Sequence, residues 1–347
     1  MTALAGCTGD DGGGNQTAGT SDDGLSDTLN IFAWGTYLKD PWVKSFEEEF
    51  GVTVNTETYS SNADAINKLR VVEPGTYDLV MPTNYAVERA MSMDLLEPVG
   101  VDDIPVYSDM FEALKLDAFN KDGGTYAVPA DFGITGLLYR PDQIERDIGE
   151  TVSLDILWDD TFEGRLCNRD NAKLEVFYGA LKNGQDPNNP SDLDAVKNTL
   201  SEHVPLLRTY WTSSADTIQI MNSGEVDVMT AWDGPYRRLQ DEGKNVAYAT
   251  FEGGTKGWLD TFAIPKGAEN KATAQAYINY CMGEQARTWL NETGYATASK
   301  RADYSEEELK KYNLTDEALD SFTFQQFVPN ERQEKYDELW TDVKTSA

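Results

Sequence analysis

Short apolar runs alternate with helical patterns along most of the chain, and two of these runs share one layout. Gly75-Thr-Tyr-Asp78-Leu-Val-Met-Pro82-Thr83-Asn84-Tyr85 and Gly224-Glu-Val-Asp227-Val-Met-Thr-Ala-Trp232-Asp233-Gly-Pro-Tyr236 both begin Gly-x-x-Asp. Each continues through a β-favouring apolar run into an aromatic and polar cluster, then into a helical pattern. Such a run, bounded by turn residues, predicts a buried strand of an α/β sheet. Open α/β sheets bind ligands just beyond the carboxyl ends of their strands. The repeated layout therefore predicts two α/β lobes facing each other across a cleft.

The remaining pattern fills in both lobes. Strands are predicted at 29–33, 52–56 and 77–81, with helices at 41–50, opened by Pro41 and stopped by Gly51, and at 63–72. Segments 126–129 and 136–139 read as strands flanking Asp131-Phe132-Gly133, a first crossing between lobes. A strand at 165–168, a helix from Asn171, a long helix through about Leu207 and a strand at 226–231 follow. Gly257-Trp258-Leu259-Asp260 precedes a strand at 261–265, and helices are predicted at 271–292, 305–311 and 331–343. Strands alternating with helices give an α/β class, each lobe a mainly parallel sheet flanked by helices.

Charge narrows the functions. Among 347 residues there are 60 acidic and 29 basic ones, a net charge of −31, which is the wrong sign for phosphate backbones and excludes a nucleic-acid partner. The acids are spread over helix faces, as on a surface adapted to high salt, where self-repulsion is screened. A halophilic source is expected. Cys7, Cys167 and Cys281 lack metal-ligand spacing, so no metal site is expected; Cys167 and Cys281 read as core residues. His203, on a polar helix face, reads as solvated. No stretch reaches 18 consecutive apolar residues, so no span is predicted.

Residues 1–27 have a linker composition rich in Gly, Ser, Thr and Asp. Within them Leu4-Ala5-Gly6-Cys7 resembles a lipobox, which implies lipidation of Cys7. The expected state is a soluble body held by a lipid anchor at the extracellular face of the membrane.

Strand-end and loop positions collect Trp34, Tyr37, Thr83, Tyr85, Trp232, Asp233, Trp258, Asp260 and Tyr295. Each aromatic sits beside Gly, Thr, Asn or Asp, which apolar packing does not need. An aromatic box edged with carboxylates suits an organic cation, through cation–π attraction and a buried carboxylate–ammonium pair. Catalytic motifs are missing: no GxSxG, HExxH, Walker sequence or Cys–His pair occurs, so no enzyme and no cofactor are expected.

Several motifs in this order resemble the spermidine/putrescine-binding proteins of ABC importers. They are Trp34-x-x-Tyr37, Ser61-Asn62, Tyr77-Asp78-Leu79-Val80-x-Pro82, Gly224-Glu225-Val226, Glu252-Gly253-Gly254, Trp258-x-Asp260-x-x-Ala263-Ile264-Pro265 and Gly294-Tyr295-x-Thr297. The resemblance implies a bilobal protein that closes on its ligand by hinge motion and docks on a permease and ATPase, itself a monomer. It implies a first lobe of 28–133 plus 261–303 and a second of 134–260 plus 304–347. It also implies ligand-binding roles for Trp34, Tyr37, Thr83, Tyr85, Trp232, Trp258, Asp260, Tyr295 and Gln326, with Asp260 anchoring an amino group.

One departure stands out. The family's two helix-start carboxylates fall on Asn171 and Leu174, while Asp170 and Glu175 lie one position off. A one-residue shift turns a helical side chain by about 100°. Asp131 and Asp233 are the candidates for a replacement charge. The open alternatives are a different small solute, such as an amino-acid derivative or opine-like compound, and a sensory binding protein.

Overall fold

The computed structural model describes residues 24–346, so Cys7 and most of the linker lie outside the described residues. The chain forms the two-lobed α/β fold, and its two main sheets are built from the patterned segments. Thr53–Tyr59, Thr28–Trp34 and Leu79–Val80 make a parallel three-stranded sheet. The helix Asp40–Phe50 covers it, burying Trp42 and Phe46 and ending at Gly51, whose φ of 66° is left-handed.

The two Gly-x-x-Asp aspartates turn out to be structural. Asp78 is buried and accepts from the backbone N–H groups of Asn30 (2.8 Å) and Asn270 (3.0 Å). Asp227 binds Arg165 at 2.6 Å and Arg140 at 3.4 Å. Each fixes the chain just before its strand, so both ligand-side strand ends are set from behind.

The larger sheet is parallel at its flank and antiparallel at its centre. Leu207–Trp211, Leu166–Arg169 and Val228–Trp232 run parallel. Val128–Tyr139 then pairs antiparallel with Val228–Trp232, Ala247–Phe251 and Thr255–Phe262. The segments 126–129 and 136–139 are thus one strand, buried along its whole length. Asp131 does not break it because the carboxylate finds an internal partner. Its first half pairs with Thr255–Phe262 and its second half with the other lobe's strands, so it carries the chain between lobes.

Other boundaries moved. The stretch 257–260 lies inside the strand Thr255–Phe262, with Ile264–Pro265 a separate short strand. The long helix stops at His203, a one-turn 3-10 segment holds Pro205, and Leu207 opens a strand. Lys271–Met282 and Ala286–Thr293 are two helices, broken at Gly283. Leu314 and Leu319 join the first lobe's core, whereas Tyr336, Leu339 and Trp340 join the second's.

Cys167 and Cys281 are buried, as expected for core residues. His203 is not solvated. It is fully buried, donating from Nδ1 to the Leu157 carbonyl (2.6 Å) and accepting at Nε2 from Asn168 (2.9 Å). Burial lowers its pKa to about 4, so it is neutral. Periodicity missed it because the interior offers two polar partners.

Asn168 also donates to Glu175 (3.2 Å), whose pKa burial raises to about 8. The folded state thus keeps a proton on Glu175 that the unfolded chain releases near its ordinary value of 4.5. That contribution is complete below the unfolded value and is lost as pH rises through about 8, costing up to a few kcal/mol. Glu175→Gln should remove this decline. Urea unfolding should find the variant more stable than the parent at pH 8.5 and closer to it at pH 5. An equal gap at both pH values would refute the assignment.

Candidate ligand-binding site

Residues alternate faces along a strand, so Lys256, Trp258 and Asp260 share one face of Thr255–Phe262. Opposite them on the long crossing strand stand Thr135, Gly133 and Asp131. Gly133 is required here, since a Cβ would lie 2.2 Å from Cζ2 of Trp258. The indole therefore packs directly against glycine backbone.

Asp260 is the centre of the site. It is 8% exposed, and its two oxygens accept from Tyr37 Oη (2.7 Å) and Thr83 Oγ1 (2.6 Å). Asn62 holds Thr83 by donating to Oγ1 (2.9 Å) and accepting from its N–H (3.0 Å), and it also donates to Tyr85 Oη (2.9 Å). Tyr37 stacks on Trp289 at 5.4 Å. Burial raises the Asp260 pKa to about 6, opposed by the two hydroxyl donors and the Lys256 charge. Among the described residues no cation is bonded to this carboxylate.

The predicted aromatic positions each have ring partners in the fold. Tyr295 meets Trp258 edge-on at 4.9 Å and lies against Gly234 of the other lobe. Trp34 packs on Tyr59 at 4.6 Å, and Trp232 on Trp211 at 5.0 Å. The indole N–H groups of Trp34 and Trp258 are buried and have no partner among the described residues.

Several predicted residues have other occupations. The Trp232 ring, expected to face a ligand cation, carries the guanidinium of Arg169 at 4.5 Å. The Tyr85 ring likewise carries Lys173 Nζ at 4.0 Å. Asp233 is buried and ion-paired with Arg237, and Asp131 accepts from the Trp289 indole at 2.6 Å. Burial, reinforced by Asp260, pushes the Asp131 pKa up and favours its neutral form. Neither aspartate offers a free charge.

Asn171 caps the helix Ala172–Lys182, accepting from Leu174 N–H at 3.0 Å. Asp170 turns to Trp340 (2.8 Å) and Lys344 (2.6 Å), and Glu175 turns inward, as the one-residue offset implies. Gln326 is exposed and uses only its backbone, accepting from Lys173 (2.7 Å) and donating to Asn188 (3.0 Å). Its neighbour Gln325 is the buried one, with an unpartnered Nε2.

The site residues that sequence reasoning missed are Asn62 as a positioning group, Gln325, and the cations Arg169, Lys173 and Lys256. Strand alternation from Trp258 and Asp260 would have placed Lys256. No helix among the described residues is long and apolar enough to cross a membrane.

Residues 41–315 match the family described as bacterial extracellular solute-binding protein. The chain is 28% identical over 280 residues to spermidine/putrescine-binding periplasmic protein 1 of Haemophilus influenzae, covering 80% of this chain and 77% of that one. It is 27% identical over 281 residues to the spermidine/putrescine-binding periplasmic protein of Escherichia coli, covering 80% and 79%. A spermidine/putrescine ABC transporter substrate-binding protein of Streptococcus pneumoniae superposes with a TM-score of 0.80 at 22% identity, covering 92% of this chain and 99% of that one. That likeness shows the fold. The family supplies the substrate-binding components of ABC importers and contains binding proteins, not enzymes. With the match spanning most of its length, this chain belongs to the bacterial extracellular solute-binding proteins.

Proposed function

We propose that this protein captures a small solute carrying a protonated amino group, in the class that includes polyamines, and presents it to an importer's permease and ATPase. The observation that carries the reading is Asp260: a buried carboxylate, held by two hydroxyls, with no cation bonded to it among the described residues and on the same strand face as Trp258. An ammonium replacing water there gains a charge-assisted hydrogen bond and a cation–π attraction. The names of the curated relatives, which bind spermidine and putrescine, point the same way. Closure of the lobes about the long crossing strand buries the ligand.

Further parts of the reading rest on sequence: lobes of 28–133 with 261–303 and 134–260 with 304–347, an anchor at Cys7, a monomer, and an acidic surface suited to molar salt. Packing of Leu314 and Leu319 in the first lobe's core supports moving 304–322 to that lobe.

A thermal-shift screen of putrescine, spermidine, agmatine and uncharged solutes in molar salt tests the function. An amine should raise the melting temperature, and uncharged solutes should not; the reverse pattern would defeat the reading. The pH dependence has a definite sign. The amine needs ionised Asp260, whose pKa in the free protein is about 6. Affinity should be flat above about pH 7 and fall roughly tenfold per unit below 6, provided one proton is taken up. Calorimetric titrations between pH 5 and 8 measure it, and a flat profile would contradict the role of Asp260.

A further inference from the structure

Three cations lie close enough to act on one another, Arg169 and Lys173 both repelling Lys256, and amine binding gives two of them nothing to do. Lys256 is 4% exposed, yet among the described residues it has no hydrogen-bond or ion-pair partner. Arg169 ends the strand Leu166–Arg169, at the carboxyl edge where α/β sheets bind ligands. Its guanidinium covers Trp232 at 4.5 Å and Trp211 at 5.3 Å, and none of its N–H groups has a partner among the described residues. Its N–H fork is therefore available for an oxyanion. Lys173 adds a third charge nearby but is tied to the Gln326 carbonyl.

We propose that the cleft takes an amphoteric solute, with its amine on Asp260 and a carboxylate or similar anion on Arg169 and Lys256. This rests on the amine reading above. Lys256, Trp258 and Asp260 alternate along one strand face, about 13 Å between the outer Cα atoms at the usual rise. A cation, an indole and a carboxylate thus stand in a row. The matching guest is an anion and an ammonium joined by a short methylene chain that crosses the ring.

Charge balance favours the same guest. Arg237 is neutralised by Asp233, but Arg169 and Lys256 have no bound counter-ion among the described residues. Burial, with repulsion from Arg169 and Lys173, lowers the Lys256 pKa to about 7. An incoming anion relieves that repulsion; the second ammonium of a diamine adds to it. The acids next to Arg169 do not offset it: Asp170 turns to Trp340 and Lys344, and Glu175 turns inward to Asn168. Two bases without a counter-ion and no free acid beside them favour an anionic group at this place.

The test compares matched guests on the full chain by calorimetry: 5-aminopentanoate against 1,5-diaminopentane, with shorter and longer homologues of each, and glutarate. A ω-amino acid should bind at least about tenfold more tightly than the diamine of equal length, as expected for one additional charge-assisted hydrogen bond. Arg169→Gln and Lys256→Gln should each lower the ratio of amino-acid to diamine affinity by about tenfold or more. Unfolding midpoints near the parent's establish that both variants fold. If diamines bind as well as amino acids and Arg169→Gln changes neither, this proposal is overturned while the amine reading stands. If glutarate binds best and Asp260→Asn leaves it unaffected, the amine reading falls and the amphoteric one with it. No binding in any arm overturns both.

Discussion

Asp260→Asn should lower the affinity for any amine ligand by about 30-fold to 1,000-fold, the range for removing one partner of a buried charged pair. The side chain keeps its shape, and the hydroxyls of Tyr37 and Thr83 can still rotate to pair with an amide. What is lost is the negative charge under the ammonium. Stability should move the other way. Burial raises the Asp260 pKa to about 6, so above that pH the folded protein carries an ionised carboxylate that the unfolded chain solvates better. The ligand-free variant should therefore melt at or above the parent at pH 7.5. A variant that loses binding and stability together would mean that Asp260 is a structural residue whose loss disturbs the lobe.

Gly133→Ala should produce the second largest effect, by a different route. The added methyl would sit 2.2 Å from Trp258 Cζ2 and 2.8 Å from Asp233 Oδ1, in the middle of the long crossing strand. Neither neighbour moves freely: the ring lies under Tyr295, and Asp233 is held by Arg237. Overpacking of this kind costs about 1–3 kcal/mol. The ring is also the floor between the two charged ends of the cleft, so affinity should drop at least about tenfold once it tilts. Trp258→Phe in the same chain should recover part of the stability, because a smaller ring leaves room for the methyl. Urea unfolding of the two single variants and the double variant measures the coupling. Strict additivity would show that the methyl and the indole do not compete for one space.

Much of this was legible from the chain alone. The Gly-x-x-Asp repeat placed two strands and the loops beyond them, and those loops do contribute Thr83, Tyr85, Trp232 and Asp233 to one region. Strand boundaries failed where polar residues sat inside buried strands. Asp131 split a single twelve-residue strand into two predictions because its partner, Trp289, arrives from a helix far along the chain. Gln326 rested on the resemblance alone, and the fold exposes it while burying its neighbour Gln325; adjacent residues of an extended chain face opposite ways, so a one-residue offset is enough to exchange them.

The sequence by itself determined the fold class and the family, because each depends on local order: periodicity, turn residues and motif succession. Only the tertiary structure decided the sign of charge across the cleft. Whether an Asp or an Arg is free to meet a ligand depends on which partner reaches it through space. Here Asp131 and Asp233 find theirs within the protein, while Arg169 and Lys256 find none among the described residues.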